Sequence, residues 1–279
     1  NFRISGPGAV TYDLSPAVVW NATSREYLIV WADGRNYASR GGDIFGQRVS
    51  AAGVLVGANF RVTGAGGVLD DHSPAVAWNG IANEYLVAWE DLRNLGTSGW
   101  DIYARRVSGV GERLGSDVRI SGPRATDVDF GVAVAWNGVD EYLIVWNDSR
   151  NLDTRGGDVY GQRVSASVDR IGANFRISGP GATANDFEAS LAWNGWSGEY
   201  LVVWGDARQE ATRGSDIFGQ RLSSTGAALG SNFRVVGTSA DAEDRAPAVV
   251  WNDTTRQYLV VWEDGRNAGF RGTDVFGQR

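Results

Sequence analysis

The sequence has no cysteine, no methionine and no lysine, and it has one histidine, His72; its 26 basic residues are all arginine. Without cysteine there is no disulfide framework, no thiolate zinc or redox site and no cysteine nucleophile. Without lysine there is no Schiff-base chemistry and no Walker-type phosphate loop. Apolar runs reach only about six or seven residues, too short to span a bilayer as a helix. The formal charge of -7 argues against a general nucleic-acid binder. An initiator methionine and a signal-peptide pattern are both missing, which points to a processed or excised segment.

What is abundant is aromatic residues and glycine, and they are ordered. Tryptophan recurs at Trp20, Trp78, Trp136, Trp193 and Trp251, and again at Trp31, Trp89, Trp146, Trp204 and Trp262. Both series step by about 58 residues, so the chain is five copies of one unit. Each unit holds four short segments of strand character and no ten-residue helical pattern. Residues 2–5 alternate in polarity, 17–20 and 27–31 are continuously apolar, and 44–49 are mixed. The apolar middle strands need cover on both faces. Asn-Gly pairs at 79–80, 137–138 and 194–195 signal tight hairpins.

Five repeats of four antiparallel strands predict an all-β, five-bladed β-propeller, a single domain over residues 1–279. The chain opens on a fourth-strand sequence and stops after a third-strand one. Residues 1–5 are therefore expected to complete the blade that ends at Arg279, a 3+1 closure. Exchange of that strand with a second molecule, giving self-association or a filament, is the alternative.

Three aspartates recur in every unit. Asp13, Asp71, Asp129, Asp186 and Asp244 precede the first Trp; Asp33, Asp91, Asp148, Asp206 and Asp264 follow the second; Asp43, Asp101, Asp158, Asp216 and Asp274 open the third strand. Arginine recurs in series beginning at Arg3, Arg35 and Arg48, so the invariant frame is neutral and the net charge lies in variable positions. Arginine pairs bidentately with carboxylate. The second and third aspartate series, with Arg35, Arg93, Arg150, Arg208 and Arg266, are therefore expected to form a structural network in which Asp33, Arg35 and Asp43 make one clamp. Three carboxylates near one strand end are also a donor set for Ca²⁺, although the adjacent arginine opposes a cation.

The functional expectation is one shallow binding site per blade. Asp13, Asp71, Asp129, Asp186 and Asp244 would bind ligand hydroxyls, and loop-tip Tyr37, Trp100 and Phe270 would stack on a sugar face. The repeat tryptophans read as core. Trp196 lies outside the repeat pattern and is expected to be exposed on the opposite face. His72 does not recur and reads as incidental. The Asn-x-Ser/Thr sites at Asn21, Asn147 and Asn252 read as surface turns.

Strings such as Ala135-Trp136-Asn137, Tyr142 to Arg150 and Asp158 to Arg163 resemble those of secreted bacterial propeller-repeat proteins. The five-blade architecture is similar to that of tachylectin-type lectins, whose own sequence motif is absent. The resemblance implies a secreted, extracellular, non-catalytic binding or adhesion protein whose partner is a glycan or a cell-surface or matrix component. A structural building block of an extracellular assembly is the alternative. The enzyme rival is a five-bladed glycosidase of the arabinanase and invertase type, which needs two carboxyl groups in different environments. Near-equivalent blades do not readily supply that difference.

Overall fold

A computed structural model describes residues 1–6, 12–64, 69–97, 99–122, 128–179, 184–209, 214–236, 243–267 and 272–279. Nineteen strands among these form five antiparallel sheets. The first holds β1 (Asp13–Asn21), β2 (Glu26–Asp33), β3 (Asp43–Ser50) and β4 (Leu55–Arg61) in that order. The second holds β5 (Asp71–Asn79), β6 (Glu84–Asp91), β7 (Asp101–Ser108) and β8 (Arg113–Arg119), and the third β9 (Asp129–Trp136), β10 (Glu141–Asp148), β11 (Asp158–Ser165) and β12 (Arg170–Arg176). The fourth holds β13 (Asp186–Asn194), β14 (Glu199–Asp206), β15 (Asp216–Ser223) and the two-residue β16 (Phe233–Arg234). The fifth has three strands, β17 (Asp244–Asn252), β18 (Gln257–Asp264) and β19 (Asp274–Gln278). Two single-turn helices, α1 (Tyr37–Arg40) and α2 (Leu152–Arg155), follow β2 and β10. The architecture is a five-bladed β-propeller, mostly with four strands per blade. No helix among the described residues is long and apolar enough to cross a membrane.

Two compact units make up the chain, residues 1–144 with 164–171, and residues 145–163 with 172–279. In the first, Leu28, Val30 and Ala32 of β2 pack with Tyr85, Val87 and Trp89 of β6, and Ile44, Tyr103 and Val107 join them. In the second, Leu201, Val203 and Ile217 pack with Val260 and Trp262. β6 and β14 are buried along nearly their whole length, which is why their sequences lack the alternation of a one-sided strand.

Residues 1–5 carry no strand. They lie against the first sheet: the Ile4 carbonyl accepts a hydrogen bond from Asn59 at 3.1 Å, and a Cβ on Gly53 would touch the Phe2 ring at 3.4 Å. Ile177 meets Asn232 in the same way, and Phe175 lies over Gly226.

Local chemistry repeats with the fold. In every sheet an asparagine closes the first hairpin: Asn21 accepts from the Thr23 and Ser24 amides, and Asn79, Asn137, Asn194 and Asn252 do the same for their turns. Two of the glycosylation-type asparagines are not surface residues. Asn21 is buried and donates to Tyr85, and Asn147 is buried and donates to the Asp186 carbonyl. The first strands β1, β5, β13 and β17 also carry a bulge two residues after the aspartate, with positive φ at Ser15, Ser73, Glu188 and Ala246, and Gly131 of β9 has the same positive φ.

A pair of polar side chains fastens the third strand to the fourth. Asn59 donates to Gln47, Asn174 to Gln162 and Asn232 to Gln220, at 2.6–2.7 Å. In the second sheet both members have changed together, and Arg105 forms an ion pair with Asp117 at 2.7 Å. The two solutions are expected to interchange only as pairs. Gln220→Arg alone buries an unmatched guanidinium and should cost ~1–3 kcal/mol. Adding Asn232→Asp should recover most of the loss, a coupling that urea unfolding of the two single variants and the double variant would measure.

Candidate functional site

The strand register sets the three aspartate series side by side at one end of each sheet. Asp33 lies opposite both Asp13 and Asp43. The same alignment holds for Asp71, Asp91 and Asp101, for Asp186, Asp206 and Asp216, and for Asp244, Asp264 and Asp274.

The middle aspartate is the hub. Asp33 accepts hydrogen bonds from the Trp31 indole at 2.9 Å, from the Arg35 amide at 2.9 Å, and from the Arg35 guanidinium at 2.8 and 2.6 Å. The guanidinium lies over Phe45, its Cζ 3.9 Å from the ring centroid. The same stack places Arg93 on Tyr103, Arg150 on Tyr160, Arg208 on Phe218 and Arg266 on Phe276. Burial pushes the Asp33 carboxyl up, but the Arg35 and Trp31 hydrogen bonds outweigh it and hold its pKa below the usual carboxylate range. The second Trp series is thus core and carboxylate anchor together.

The expected clamp of Asp33, Arg35 and Asp43 is divided. Arg35 serves Asp33, whereas Asp43 is served by Arg61 at 3.5 Å and Thr63 at 3.2 Å. Asp101 likewise pairs with Arg119 and Ser121, Asp158 with Arg176 and Ser178, and Asp216 with Arg234. The fourth-strand arginine reaches the third strand beside it, while the β2–β3 loop folds Arg35 back onto its own strand. The third arginine series has acidic partners of its own that sequence reasoning missed: Arg48 faces Glu26, Arg106 faces Glu84 and Arg221 faces Glu199. Among the described residues no group of three or more His, Asp or Glu side chains could hold a metal ion, so the calcium cluster at Asp13, Asp33 and Asp43 is not assembled.

The first aspartate series does not fit the ligand role expected of it. Asp71, Asp129, Asp186 and Asp244 are buried, and only Asp13 is exposed. The Trp89 indole is 3.1 Å from both Asp71 and Asp91, and the Trp204 indole bridges Asp186 and Asp206. Burial and then the charge of Asp91 raise the Asp71 pKa strongly; Asp186 is raised likewise, beside Asp206. Asp244, beside Asp264, is pushed up to about 7. In all three, burial favours the protonated form over the charged one. Recurrence looked the same for a ligand-binding acid and for a buried one, and burial separates them.

The expected stacking residues are placed more favourably. Tyr37 opens α1 and is 50% exposed, its ring 5.7 Å from that of Tyr12. Trp100 is half-buried beside His72, with ring centroids 6.1 Å apart. Phe270 lies outside the described residues. Trp196 is 66% exposed at the β13–β14 turn, under the Arg256 guanidinium.

No protein-family model and no curated protein matches the chain by sequence. Solved structures do match by shape. The α-L-arabinanase of Penicillium chrysogenum complexed with arabinobiose superposes with a TM-score of 0.66 at 14% identity, covering 98% of this chain and 83% of its own. The endo-arabinase of Bacteroides thetaiotaomicron gives 0.60 at 12% identity, with 99% and 97% covered. The α-L-arabinofuranosidase of Fusarium graminearum with arabinobiose gives 0.61 at 11% identity, with 98% and 83% covered. The likeness is one of fold. This propeller shares its architecture with carbohydrate-active glycosidases, and its residues need their own account.

Proposed function

We propose that this propeller is a non-catalytic carbohydrate-binding protein that presents its ligand site on the loops at the aspartate end of the sheets, and that it acts outside the cell in adhesion. The observation that carries the reading is how the carboxylates are used. The middle and third aspartates are engaged by guanidinium, indole, hydroxyl or amide groups, and burial favours the protonated form of Asp71 and Asp186, while the Tyr37 ring is exposed on a loop above them. A glycosidase needs one carboxyl free to attack or to activate water, and another free to protonate the leaving oxygen. A binding site needs ring faces and hydroxyl acceptors. The arabinobiose complexes of two neighbours in fold support a sugar as the ligand class. The strings shared with secreted bacterial repeat proteins support the extracellular setting.

Calorimetric titration with arabinobiose and a panel of neutral oligosaccharides is expected to show binding, while reducing-end assays on the same mixtures show no new ends. Turnover that disappears when one carboxylate is replaced would restore the enzyme reading.

A further inference from the structure

The frame repeats, but the residues bordering it do not. The position before the first aspartate holds Tyr12, Asp70, Val128, Asn185 and Glu243 in turn, and the position after it holds Leu14, His72, Phe130, Phe187 and Arg245. The residue before the third aspartate is Gly42, Trp100, Gly157, Ser215 and Thr273. Only the second unit combines Asp, His and Trp at these places, and only the first places a Tyr beside them.

The fold brings these odd residues together. The Asp71 amide donates to the Gly42 carbonyl at 2.9 Å, so the β2–β3 loop of the first sheet is tied to the start of β5. Asp70 accepts from the Gly42 amide through Oδ1 at 2.7 Å. A Cβ on Gly41 would fall 2.7 Å from that oxygen, and a Cβ on Gly42 would fall 2.8 Å from the Tyr12 hydroxyl. The glycine pair is what lets a carboxylate and a phenol approach the loop backbone. Tyr12 then meets Tyr37 edge-on. On the other side Asp70 Oδ2 lies 3.7 Å from His72 Nε2, beyond hydrogen-bond reach, and His72 leads to Trp100. Tyr37, Tyr12, Asp70, His72 and Trp100 therefore form one continuous run. The Asp70 and His72 side chains keep 24% and 28% of their surface, enough to be reached from solvent.

Resting on the carbohydrate reading above, we propose that this run is a single asymmetric sugar subsite per chain, with Tyr37 and Trp100 as ring platforms and Asp70 as the acceptor of hydroxyl hydrogen bonds. Its ligand is a neutral oligosaccharide. Asp70 retains lone pairs for two hydroxyls after the Gly42 amide is satisfied. Burial, and then the negative charge of Asp70, raise the Tyr12 pKa, which keeps its phenol a neutral donor. An acidic sugar would meet the Asp70 carboxylate. The site departs from the expectation of repeated shallow sites, because among the described residues the aromatic and acidic members occur together once.

The test is calorimetry on the full chain with arabinotriose, β-1,4-galactotriose and cellotriose as neutral probes and trigalacturonate as the acidic one. One neutral trisaccharide should bind at one per chain and more tightly than trigalacturonate. Tyr37→Ala and Asp70→Asn should each weaken it at least tenfold, with Trp100→Ala as a third variant. Trp196→Ala, at the β13–β14 turn, should bind as the wild type does. Tyr37 is exposed on a single-turn helix, so its replacement leaves the fold intact, and a melting curve on each variant checks this. Wild-type binding that survives all three site variants, several equal sites per chain, or preference for trigalacturonate would each overturn the subsite while leaving sugar binding in place. No binding of any probe would overturn the carbohydrate reading and the subsite with it.

Discussion

Replacing Asp206 with alanine is expected to cost ~3–5 kcal/mol of folding stability, the usual range when one partner of a buried ion pair is removed. Asp206 is buried and accepts from the Trp204 indole at 3.3 Å and from the Arg208 amide and Nε at 2.9 and 2.8 Å. Alanine leaves the guanidinium over Phe218 without its counter-charge, and leaves the indole N–H with the Asp186 carboxyl alone. Asp206→Asn keeps an acceptor and should lose less. Urea unfolding followed by circular dichroism would show the loss as a lower midpoint at unchanged slope. A loss below about 1 kcal/mol would place this carboxylate outside the structural frame, since that is the worth of an exposed pair.

The second large effect is a stability that falls as pH rises. Asp71, Asp186 and Asp244 have folded pKa values raised above their unfolded ones, Asp244 to about 7. Below about pH 4 both folded and unfolded chains hold these protons, and the stabilisation is fully present. As pH rises the unfolded chain releases them first, and stability declines by ~1.4 kcal/mol per pH unit for each group until its folded pKa is passed. Asp33 and Asp264 act oppositely: their lowered values stabilise above about pH 4, and that part is lost as pH falls through the folded pKa. Scanning calorimetry should therefore find a higher melting temperature at pH 5 than at pH 8. Asp186→Asn, which needs no proton, should flatten the profile and raise the value at pH 8. A wild-type melting temperature that is flat or rises from pH 5 to pH 8 would contradict the protonated pairs.

The fold is legible in the sequence because each unit must bury two apolar strands that it cannot cover alone, so tryptophan spacing and strand character point to the same architecture. Side-chain pairing is less legible. Arg35 and Asp43 are close in sequence, yet the register hands Asp43 to Arg61 on the neighbouring strand. The Glu26 series was hidden because the fifth unit has Gln257 in its place, which breaks the recurrence. The aromatic ends of the candidate site, Tyr37 and Trp100, were legible as loop-tip rings, whereas its polar members were hidden for the opposite reason. His72 and Asp70 do not recur, so a comparison of repeats discounts them, and only the bonds from the Gly42 backbone to the start of β5 bring them to Tyr37.

The loop between the second and third strands is held at both of its ends. Asp33 and Arg35 fix its entry, and across its base Asn36 donates to Asp43, as Asn94 does to Asp101, Asn151 to Asp158 and Asn267 to Asp274. A loop pinned at its base can change in its middle without loosening the sheet below, because the cost of closing it has already been met by the pins. The five units carry five different sequences there on one frame. The arrangement is that of a display scaffold: new recognition can arise by drift in one loop while the other four keep what they have, and foreign segments replacing residues 152–155, with Gly156 and Gly157 kept against the start of β13, should be tolerated as readily as the native one.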